Sequence, residues 1–578
     1  MKYRSRKRIP YGVSNYAEMV RENCYFIDKT EYIEKLSQVK NVIFLRPKRF
    51  GKSLFCSMLG HYYDLRHAER FDELFGHTWI GQHPTGEQNQ FIILSLDFSP
   101  FNVDETYEDI RQSFRARCNE TLSLLRTQYA PLLDDMPKMV LDGNVSDNLA
   151  RLLYYLEAAG LPRLYVIIDE YDNFANQLIT GHKDQLYNKL TADGGFFKTF
   201  FKTLKEGRKI GAIENVFITG ILPVTIDELA SAFNIGTFLT LDPEFENMLG
   251  FTQGEVDQLL DDVYHDYQIL AATRQGVQTL IKNHYNGYRF VNPNGDALYN
   301  STILMHFLRW FTRHKTIPQQ LTDQNLKNEL SWVRRLTAEN PQKTEAFVDQ
   351  LTLHNQIGYE YNLLTEKFDM NQFFKETYFP ISFFYLGMLT KKDEFQFKLP
   401  NLNMRQIFVE YFNEIHQVNV STDYVSIMQR FINRPNLEEL FSSYWEEYIL
   451  KLPEAIFMKV NENFYRTTFF ELCSRYLSRW FTWNVERSYP SGKSDLEFVG
   501  KHHEKFAGLR WVIEFKYYSN TEFKKRGTRI EAFELIDSDK EQIAGYVKGL
   551  KKEYPEAQIS QFLIHCFGNQ AFRVFALD

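Results

Sequence analysis

The chain has little cysteine, with five in 578 residues. The five lie far apart and are odd in number, so the sequence supports neither a zinc site nor a disulfide framework. Scattered free thiols are typical of a reducing compartment. No uninterrupted apolar run is long enough to span a membrane, and the basic segment Met1–Arg8 lacks the apolar stretch of a signal peptide. We therefore expect a cytoplasmic protein with no membrane partner.

The chain also lacks an excess of positive charge. It holds 67 lysines and arginines against 74 acids, a net charge of -7, which argues against a surface uniformly coated by nucleic acid. Any such binding must come from local patches. Residues 451–578 are slightly basic, with about 20 cationic against about 17 acidic residues. Within them, Lys524, Lys525, Arg526 and Arg529 form a candidate contact for a phosphate backbone.

The segment Phe44–Leu54 runs from an apolar strand into Gly51-Lys52-Ser53, which a nucleoside triphosphate needs at the start of a helix. Lys52 would reach the β- and γ-phosphates, and the Ser53 hydroxyl would complete the shell of a Mg²⁺ ion. Arg46 stands where the usual P-loop has its first glycine, and an exposed turn is the alternative interpretation. The predicted nucleotide-binding residues are Arg46, Pro47, Lys48, Arg49, Phe50, Gly51, Lys52, Ser53 and Leu54.

A second buried strand, Leu164–Asp169, is predicted to lie beside the first. Its continuous apolar run is typical of a parallel strand covered on both faces. Adjacent acids at the end of such a run are costly unless a metal or water uses them. We expect Asp169 to hold Mg²⁺ through water and Glu170 to act as the base that polarises the attacking water. The alternative is a strand that merely ends in solvated acids.

Three further apolar runs, over residues 91–97, 215–220 and 237–241, are predicted to be strands of the same sheet. Helical stretches separate them, which indicates an α/β fold with a doubly wound parallel sheet and ligands at the carboxyl ends of the strands. Thr219 ends one of these strands. It could sense the γ-phosphate, or it could be only a local hydrogen bonder.

Several of these motifs together resemble a known family. They are Asp28-Lys29-Thr30, the P-loop segment 46–53, Ile168-Asp169-Glu170-Tyr171-Asp172, Thr219-Gly220 and Tyr285-Asn286-Gly287-Tyr288. The chain is similar to the bacterial AAA-ATPase-like family that carries a C-terminal PD-(D/E)XK nuclease domain. In that family arginine commonly takes the first glycine position of the P-loop. The resemblance implies ATP binding by Lys52 and Ser53, and a nuclease-like module of the restriction-endonuclease type downstream.

The downstream module has a candidate metal centre. The segment Trp511–Tyr517 alternates with period two, so Glu514 and Lys516 share one face of a strand. A hairpin with the strand that begins at Gly492 could bring Asp495 beside Glu514. Two carboxylates so placed suit Mg²⁺ or Mn²⁺, and a neighbouring lysine can orient or activate the attacking water. The alternative is an ordinary pair of opposite charges on a solvated strand face.

Two helices would complete this centre. Gln542 and Tyr546 lie four residues apart on one helical face, which resembles the helix after the catalytic strand in RecB-like members of the superfamily. The family also uses a helical acid. Glu462 is the candidate and Glu471 its competitor, and the alternative is that each is a surface glutamate.

The organisation follows from these assignments. We expect an ATPase domain over residues 1–250, a helical lid or winged-helix-like region over 251–345, a helical connector over 346–450 and the nuclease-like domain over 451–578. In the lid, Arg289 could reach the nucleotide as a sensor arginine, and the connector could transmit the nucleotide state.

Two functions remain open. The first is an ATPase that controls a metal-dependent nuclease, acting on DNA more readily than RNA. The second is a signalling or scaffold ATPase whose nuclease-like domain binds nucleic acid or protein without cleaving it. The pattern leaves the oligomeric state open, a homo-oligomer included.

Overall fold

The computed structural model describes residues 6–99, 106–137, 139–181, 183–191, 195–223, 233–321, 335–336, 338–365, 370–418, 423–501 and 504–577. The N-terminal part is built on a five-stranded sheet in which every neighbouring pair is parallel. The predicted α/β class and parallel sheet are confirmed. The strands are β1 (Val42–Leu45), β2 (Ile92–Asp97), β3 (Leu164–Asp169), β4 (Ile213–Gly220) and β5 (Thr237–Phe238).

The order of these strands is β2-β3-β4-β1-β5. Strand β4 therefore lies between β1 and β3, and the prediction that the Asp169 strand lies beside the P-loop strand is wrong. A buried apolar run fits any interior position of a sheet, so the pattern of residues could not decide the order. All five strands point the same way, however, so β1, β3 and β4 still end at the same edge of the sheet.

Helices cover both faces of this sheet. The residues of β3 from Leu164 to Ile168 are therefore all buried. Helix α3 directly follows the P-loop and packs against β2 and β3. The α-helices of this part are α1 (Tyr16–Arg21), α2 (Glu31–Ser37), α3 (Lys52–Tyr63), α4 (Phe71–Phe75), α5 (Trp79–Gln82), α6 (Tyr107–Gln128), α7 (Ala130–Leu133), α8 (Val145–Ala158), α9 (Asn173–Thr180), α10 (Asp184–Thr191) and α11 (Phe196–Lys209).

The middle of the chain is mainly helical, as expected. Its helices are α12 (Gln253–Tyr267), α13 (Arg274–Tyr285), α14 (Ser301–His314), α15 (Pro341–His354), α16 (Tyr361–Thr365), α17 (Met370–Phe373), α18 (Phe379–Tyr385), α19 (Leu402–Ile415), α20 (Asp423–Asn433) and α21 (Leu437–Glu447). The connector also contains three short strands that the sequence did not predict. They are β6 (Ile357–Gly358), β7 (Thr390–Lys391) and β8 (Gln396–Lys398), paired in the order β6-β8-β7.

The C-terminal part is a second sheet with a helix on each face. Its strands are β9 (Phe481–Tyr489), β10 (Gly492–Gly500), β11 (Leu509–Tyr518), β12 (Gln558–Phe567) and β13 (Ala571–Leu577), in the order β13-β12-β11-β10-β9. Its helices are α22 (Glu462–Leu477), α23 (Asn520–Lys525) and α24 (Asp537–Glu553). Strands β10 and β11 are antiparallel, as the predicted hairpin requires, whereas β11 and β12 are parallel.

The two faces of β11 belong to different cores. Ile513 and Phe515 join the large core on the side of α22, whereas Val512 joins a smaller core with Ile543 of α24. This division follows the period-two pattern of the strand. Glu514 therefore faces α24.

Within the described residues, no helix is both long and apolar enough to cross a bilayer.

Candidate functional site

The P-loop connects β1 to α3 at the carboxyl edge of the first sheet. Gly51 caps α3 with φ at +95°, a left-handed conformation that glycine adopts without strain. The buried ammonium of Lys52 donates to the carbonyl oxygens of Arg46 and Pro47, at 3.2 and 3.3 Å. The loop thus curls around its own lysine, and the first turn of α3 offers backbone N–H groups to an anion.

Arg46 does not face this loop. Its guanidinium donates to the carbonyl oxygens of Thr240 and Glu246, at 2.8 and 3.2 Å, and lies between the rings of Phe44 and Phe290. Its backbone N–H donates to the Gly220 carbonyl. Burial lowers the pKa of Arg46 to about 9. The prediction that Arg46 contacts the nucleotide is therefore wrong, because both its side chain and its N–H serve the protein interior.

Two other large side chains of the loop differ in their exposure. Phe50 is buried and packs edge-on against Tyr288 and Phe290, with ring centroids 5.1 and 5.5 Å away. The Lys48 side chain is exposed, and its carbonyl accepts from Asn300 at 3.2 Å. The nucleotide contacts of Pro47, Lys48, Arg49, Phe50 and Leu54 stay a prediction.

Asp169 and Glu170 lie at the end of β3, opposite the start of α3. Asp169 lies beside the Ser53 side chain, which lowers its pKa, and accepts a hydrogen bond from the Glu170 N–H at 2.9 Å. Burial raises the pKa of Asp169 to about 6, against the opposing effects of Ser53 and Lys52. Ser53, Lys52 and Glu170 line a cavity of about 270 Å³. A hydroxyl and a carboxylate in contact are suitable ligands for Mg²⁺, directly or through water.

The two sensor candidates have other partners. The Thr219 hydroxyl donates to the Phe44 carbonyl at 2.8 Å, so it ties β4 to β1. The Arg289 Nε donates to the Gly295 carbonyl at 2.8 Å, and Arg289 is absent from the lining of the cavity beside the P-loop. The structure thus does not bring Arg289 to the nucleotide site. The role of Thr219 in sensing the γ-phosphate stays a prediction.

Asp495 and Glu514 meet where β10 and β11 separate. The Asp495 carboxylate accepts from the Phe515 N–H at 2.8 Å, and the Glu514 carboxylate accepts from the Asp495 N–H at 3.3 Å. Each acid therefore binds the backbone of the other strand. Both are buried. Burial raises the pKa of Glu514, and the neighbouring charge of Asp495 raises it further.

Helix α24 supplies the polar neighbours of Glu514. Gln542 Nε2 donates to Glu514 at 3.1 Å and to the Tyr546 hydroxyl at 2.5 Å, and Tyr546 donates to the Lys493 carbonyl at 2.8 Å. This chain of hydrogen bonds holds the orientation of the Glu514 carboxylate. Lys516 lies on the same face of β11 as Glu514. Burial opposes its charge, but Glu514 and other acids raise the pKa of Lys516, so it remains a cation.

The two candidates for the helical acid lie in different surroundings. Burial and the charge of Asp495 raise the pKa of Glu462 to about 7, while Lys516 opposes this effect. Glu462 is thus close enough to both groups to interact with them. Glu471 is 3% exposed and forms an ion pair with Arg475 on the same helix. This placement favours Glu462 as the third acid of the centre.

Two segments of the chain match known protein families. The family described as predicted AAA-ATPase matches residues 10–230, and the PD-(D/E)XK nuclease superfamily matches residues 460–576. The chain thus carries one segment similar to an AAA-ATPase-like domain and, downstream of it, one similar to a PD-(D/E)XK nuclease domain. The predicted family resemblance is confirmed, and the two domains are of ATPase and nuclease type.

A curated relative of the chain is described as an uncharacterized protein in the vnfD 5' region of Azotobacter chroococcum mcd 1. It is 24% identical over 311 residues, which are 51% of this chain and 51% of the relative. The chain thus spans about half the length of this relative. The description names no activity, so activity must be argued from the sites themselves.

Sequence reasoning missed three charged residues of the nuclease domain. Asp539 lies 3.7 Å from the Lys516 ammonium. Arg466 donates to Asp495 at 2.7 Å and to Glu486 at 3.1 Å. A signal for two of them was present, since Arg466 follows Glu462 by four residues and Asp539 precedes Gln542 by three, spacings that share a helical face.

The donor atoms of the nuclease centre suit a hard divalent ion. Asp495 and Glu514 offer only oxygen, which Mg²⁺ and Mn²⁺ prefer, and Mg²⁺ commonly binds one or two carboxylates and completes its shell with water and phosphate. Among the described residues, three possible ligand atoms lie within 4.8 Å of one another only at Glu345, Asp349 and His416. The nuclease centre therefore fits a site of two protein ligands, with Glu462 in support.

The affinity of this centre for metal should rise with pH. Glu462, with its pKa of about 7, and Glu514, with its raised pKa, hold protons near neutral pH, and metal binding must displace them. We expect the Kd for Mn²⁺ to fall by about tenfold per pH unit for each proton displaced, up to about a hundredfold for two, between about pH 6 and pH 8. Isothermal titration without ATP measures it, with Glu462→Gln as the variant that keeps both metal ligands and loses one linked proton. A Kd independent of pH would contradict the assignment of these acids.

Proposed function

We propose that this protein binds and hydrolyses ATP and uses its nucleotide state to control a metal-dependent nuclease that acts on nucleic acid, DNA more readily than RNA. The observation that carries the proposal is the assembly of Asp495, Glu514 and Lys516 at one point of the second sheet. Two buried acids beside a cation are costly in a fold that makes no use of them. A divalent ion and a phosphodiester are the partners that such a set fits.

The nuclease residues divide the chemistry of phosphodiester hydrolysis. Asp495 and Glu514 would hold Mg²⁺ or Mn²⁺, which lowers the pKa of a bound water and stabilises charge on the phosphate. Lys516, a cation, would orient the attacking water and stabilise the developing negative charge. Glu462 is able to exchange a proton near neutral pH because its pKa is about 7. Gln542 keeps Glu514 in position through their hydrogen bond.

The residues at the carboxyl edge of the first sheet would divide the tasks of ATP binding and hydrolysis. Lys52 would bind the β- and γ-phosphates, and Ser53 and Asp169 would hold Mg²⁺, which would neutralise charge on the phosphates. Glu170 has φ at +54° and lines the same cavity, so its carboxylate would orient the attacking water. Thr219, next to the P-loop strand, would sense the γ-phosphate.

A continuous set of contacts supports control of one site by the other. Tyr288 packs on Phe50 of the P-loop, and the adjoining Gly287 lies so close to Pro400 that a Cβ there would be 1.9 Å from the Pro400 carbonyl oxygen. Asn401 donates to the Asn286 carbonyl at 3.0 Å and caps α19. The loop after the lid helix α13 is therefore held between the P-loop and the start of α19.

Helix α19 continues this connection to the nuclease centre. Arg405, one turn after Asn401, donates to Glu486 at 2.9 Å. Glu486 also accepts from Arg466, which in turn donates to the metal ligand Asp495. A shift of the P-loop segment on nucleotide binding would thus reach Asp495 through packed and hydrogen-bonded groups.

One observation favours the second candidate, a signalling or scaffold ATPase. Arg466 occupies an oxygen of Asp495 that a metal would need. A protein in which this ion pair persists would bind nucleic acid or a partner without cutting. Whether the pair opens in the presence of metal and substrate is what separates the two functions.

Cleavage by the purified full-length protein tests the proposal. Plasmid DNA, single-stranded DNA and RNA are incubated with Mg²⁺ or Mn²⁺, with and without ATP. We expect cutting that falls by about 10²-fold or more in Glu514→Gln, which keeps the size of the side chain but loses its charge. Glu541→Gln, an exposed position on α24, is the matched control. The absence of cutting under every condition would favour the scaffold.

A further inference from the structure

Four cationic residues from three parts of the chain lie together beside the nuclease centre. Two of them meet at Thr390 of β7. Lys398 of β8 pairs with Thr390 across the small sheet. The Thr390 hydroxyl accepts from the Arg289 N–H at 2.6 Å and contacts the Arg289 carbonyl at 3.2 Å. The connector therefore places Lys398 next to the lid residue Arg289.

The other two residues adjoin the metal ligands. Arg405 of α19 forms an ion pair with Glu486 of β9, with a distance of 2.9 Å between nitrogen and oxygen. Lys493 lies on β10, two residues before Asp495, and pairs with Ser488 of β9. We call the set of Arg289, Lys398, Arg405 and Lys493 the basic cluster.

The positive charge of the basic cluster is only partly neutralised by the neighbouring Glu486. The carboxylate of Glu486 is shared by Arg405 and Arg466. Within the described part of the chain, the ammonium groups of Lys398 and Lys493 have no ion pair or hydrogen bond. Half-buried Lys398 has a lowered pKa, first because of burial and then because of Arg289, Arg405 and Lys493, while Glu486 opposes them. Lys398 is therefore near enough to Arg289, Arg405 and Lys493 to be repelled by each of them.

Gathering like charges in a partly desolvated place costs free energy unless an anion binds there. Such an anion can enter the cluster from solvent, because Lys493 is exposed. A backbone phosphate fits, because its two free oxygens accept from arginine and lysine at once and its charge offsets theirs. The cluster adjoins Asp495 through Arg466, so a bound phosphate would belong to a strand that enters the nuclease centre.

We propose that the basic cluster binds a backbone phosphate of the nucleic acid next to the phosphodiester that the nuclease centre would cut. This inference rests on the proposed nuclease function and adds the residues that hold the substrate strand. It also assigns the strand to a place formed jointly by lid, connector and nuclease domain. Arg289 follows Tyr288, whose ring packs on Phe50, so nucleotide binding at the P-loop would alter the phosphate site.

Binding of fluorescently labelled oligonucleotides tests the cluster without cleavage. Full-length protein is titrated in EDTA with single-stranded DNA, duplex DNA and RNA of equal length, at a series of salt concentrations. The variant Lys398→Gln with Lys493→Gln should bind about tenfold or more weakly at low salt. Its slope of log affinity against log salt should be shallower by about 1.4 to 1.8, the loss expected for two phosphate contacts.

The control variant removes the same charge elsewhere. Lys551→Gln with Lys552→Gln changes two exposed lysines at the end of α24 and should keep the slope of the wild type. The melting temperature serves as a second measurement. Because Lys398 lies among like charges, Lys398→Gln should leave it unchanged or raise it, whereas a structural lysine would lower it. Lys493→Gln alone, at an exposed position, should still show about half of the change in slope.

The outcomes separate this inference from the function on which it rests. A wild-type protein that binds none of the oligonucleotides would overturn the nuclease proposal and the cluster together. A wild-type protein that binds, with the same slope in the Lys398 and Lys493 variant as in the Lys551 and Lys552 control, would overturn the cluster alone. A loss confined to the Lys398 and Lys493 variant supports it.

Discussion

Replacing Lys516 by alanine should abolish cleavage while leaving metal binding nearly intact. The Lys516 ammonium lies on the same strand face as Glu514 and keeps its charge because the surrounding acids raise its pKa against the effect of burial. Alanine removes the cation that would orient the water and stabilise the charge on the phosphate. We expect the cleavage rate to fall by about 10²- to 10³-fold.

The Kd for Mn²⁺ should change little in this variant, since Asp495 and Glu514 remain. Lys548→Ala, an exposed lysine on α24, serves as the matched control and should cut at the wild-type rate. Cutting by Lys516→Ala at the same rate would mean that the catalytic centre lies elsewhere. A loss of metal binding together with cutting would mean that Lys516 maintains the site rather than acting in the reaction.

Replacing Lys52 by alanine should abolish ATP hydrolysis. Lys52 is buried in the P-loop, where its ammonium contacts the carbonyls of Arg46 and Pro47, and it is the residue predicted to bind the γ-phosphate. We expect turnover to fall by about 10²-fold or more, measured as phosphate release. Lys202→Ala, at an exposed position on α11, is the matched control. Unchanged turnover in Lys52→Ala would overturn the P-loop assignment.

The same variant examines the control of cleavage. If the nucleotide state acts through Phe50 and the loop at Tyr288, Lys52→Ala should retain basal cutting but lose its response to ATP. Cutting that still responds to ATP in this variant would show that the nucleotide acts at another place.

Strand β11 shows what a local sequence pattern can predict and what it cannot. The alternation of residues 511–517 was enough to place Glu514 and Lys516 on one face, because side chains of a strand alternate regardless of the rest of the fold. The choice between Glu462 and Glu471 was different. Nine residues apart on one helix, they lie on nearly opposite faces, and only the packing of α22 on the sheet decides which face meets Asp495.

The P-loop shows the same limit. Gly51, Lys52 and Ser53 were recognisable because a nucleotide is bound by the backbone and side-chain groups of these consecutive residues. Arg46 looked like part of that set by its position. Its guanidinium instead binds carbonyls of Thr240 and Glu246, about 200 residues further along the chain.

By itself, the sequence determined the two domain types, the parallel sheet and the residue types of both sites, since these follow from local periodicity and from motifs. Only the tertiary structure decided that β4 lies between β1 and β3, that Arg46 faces the interior and that Arg405 reaches Glu486. It alone brought the basic cluster to Asp495. The physical reason is that strand order, helix docking and the meeting of charges depend on contacts between distant segments, which no local pattern of residues encodes.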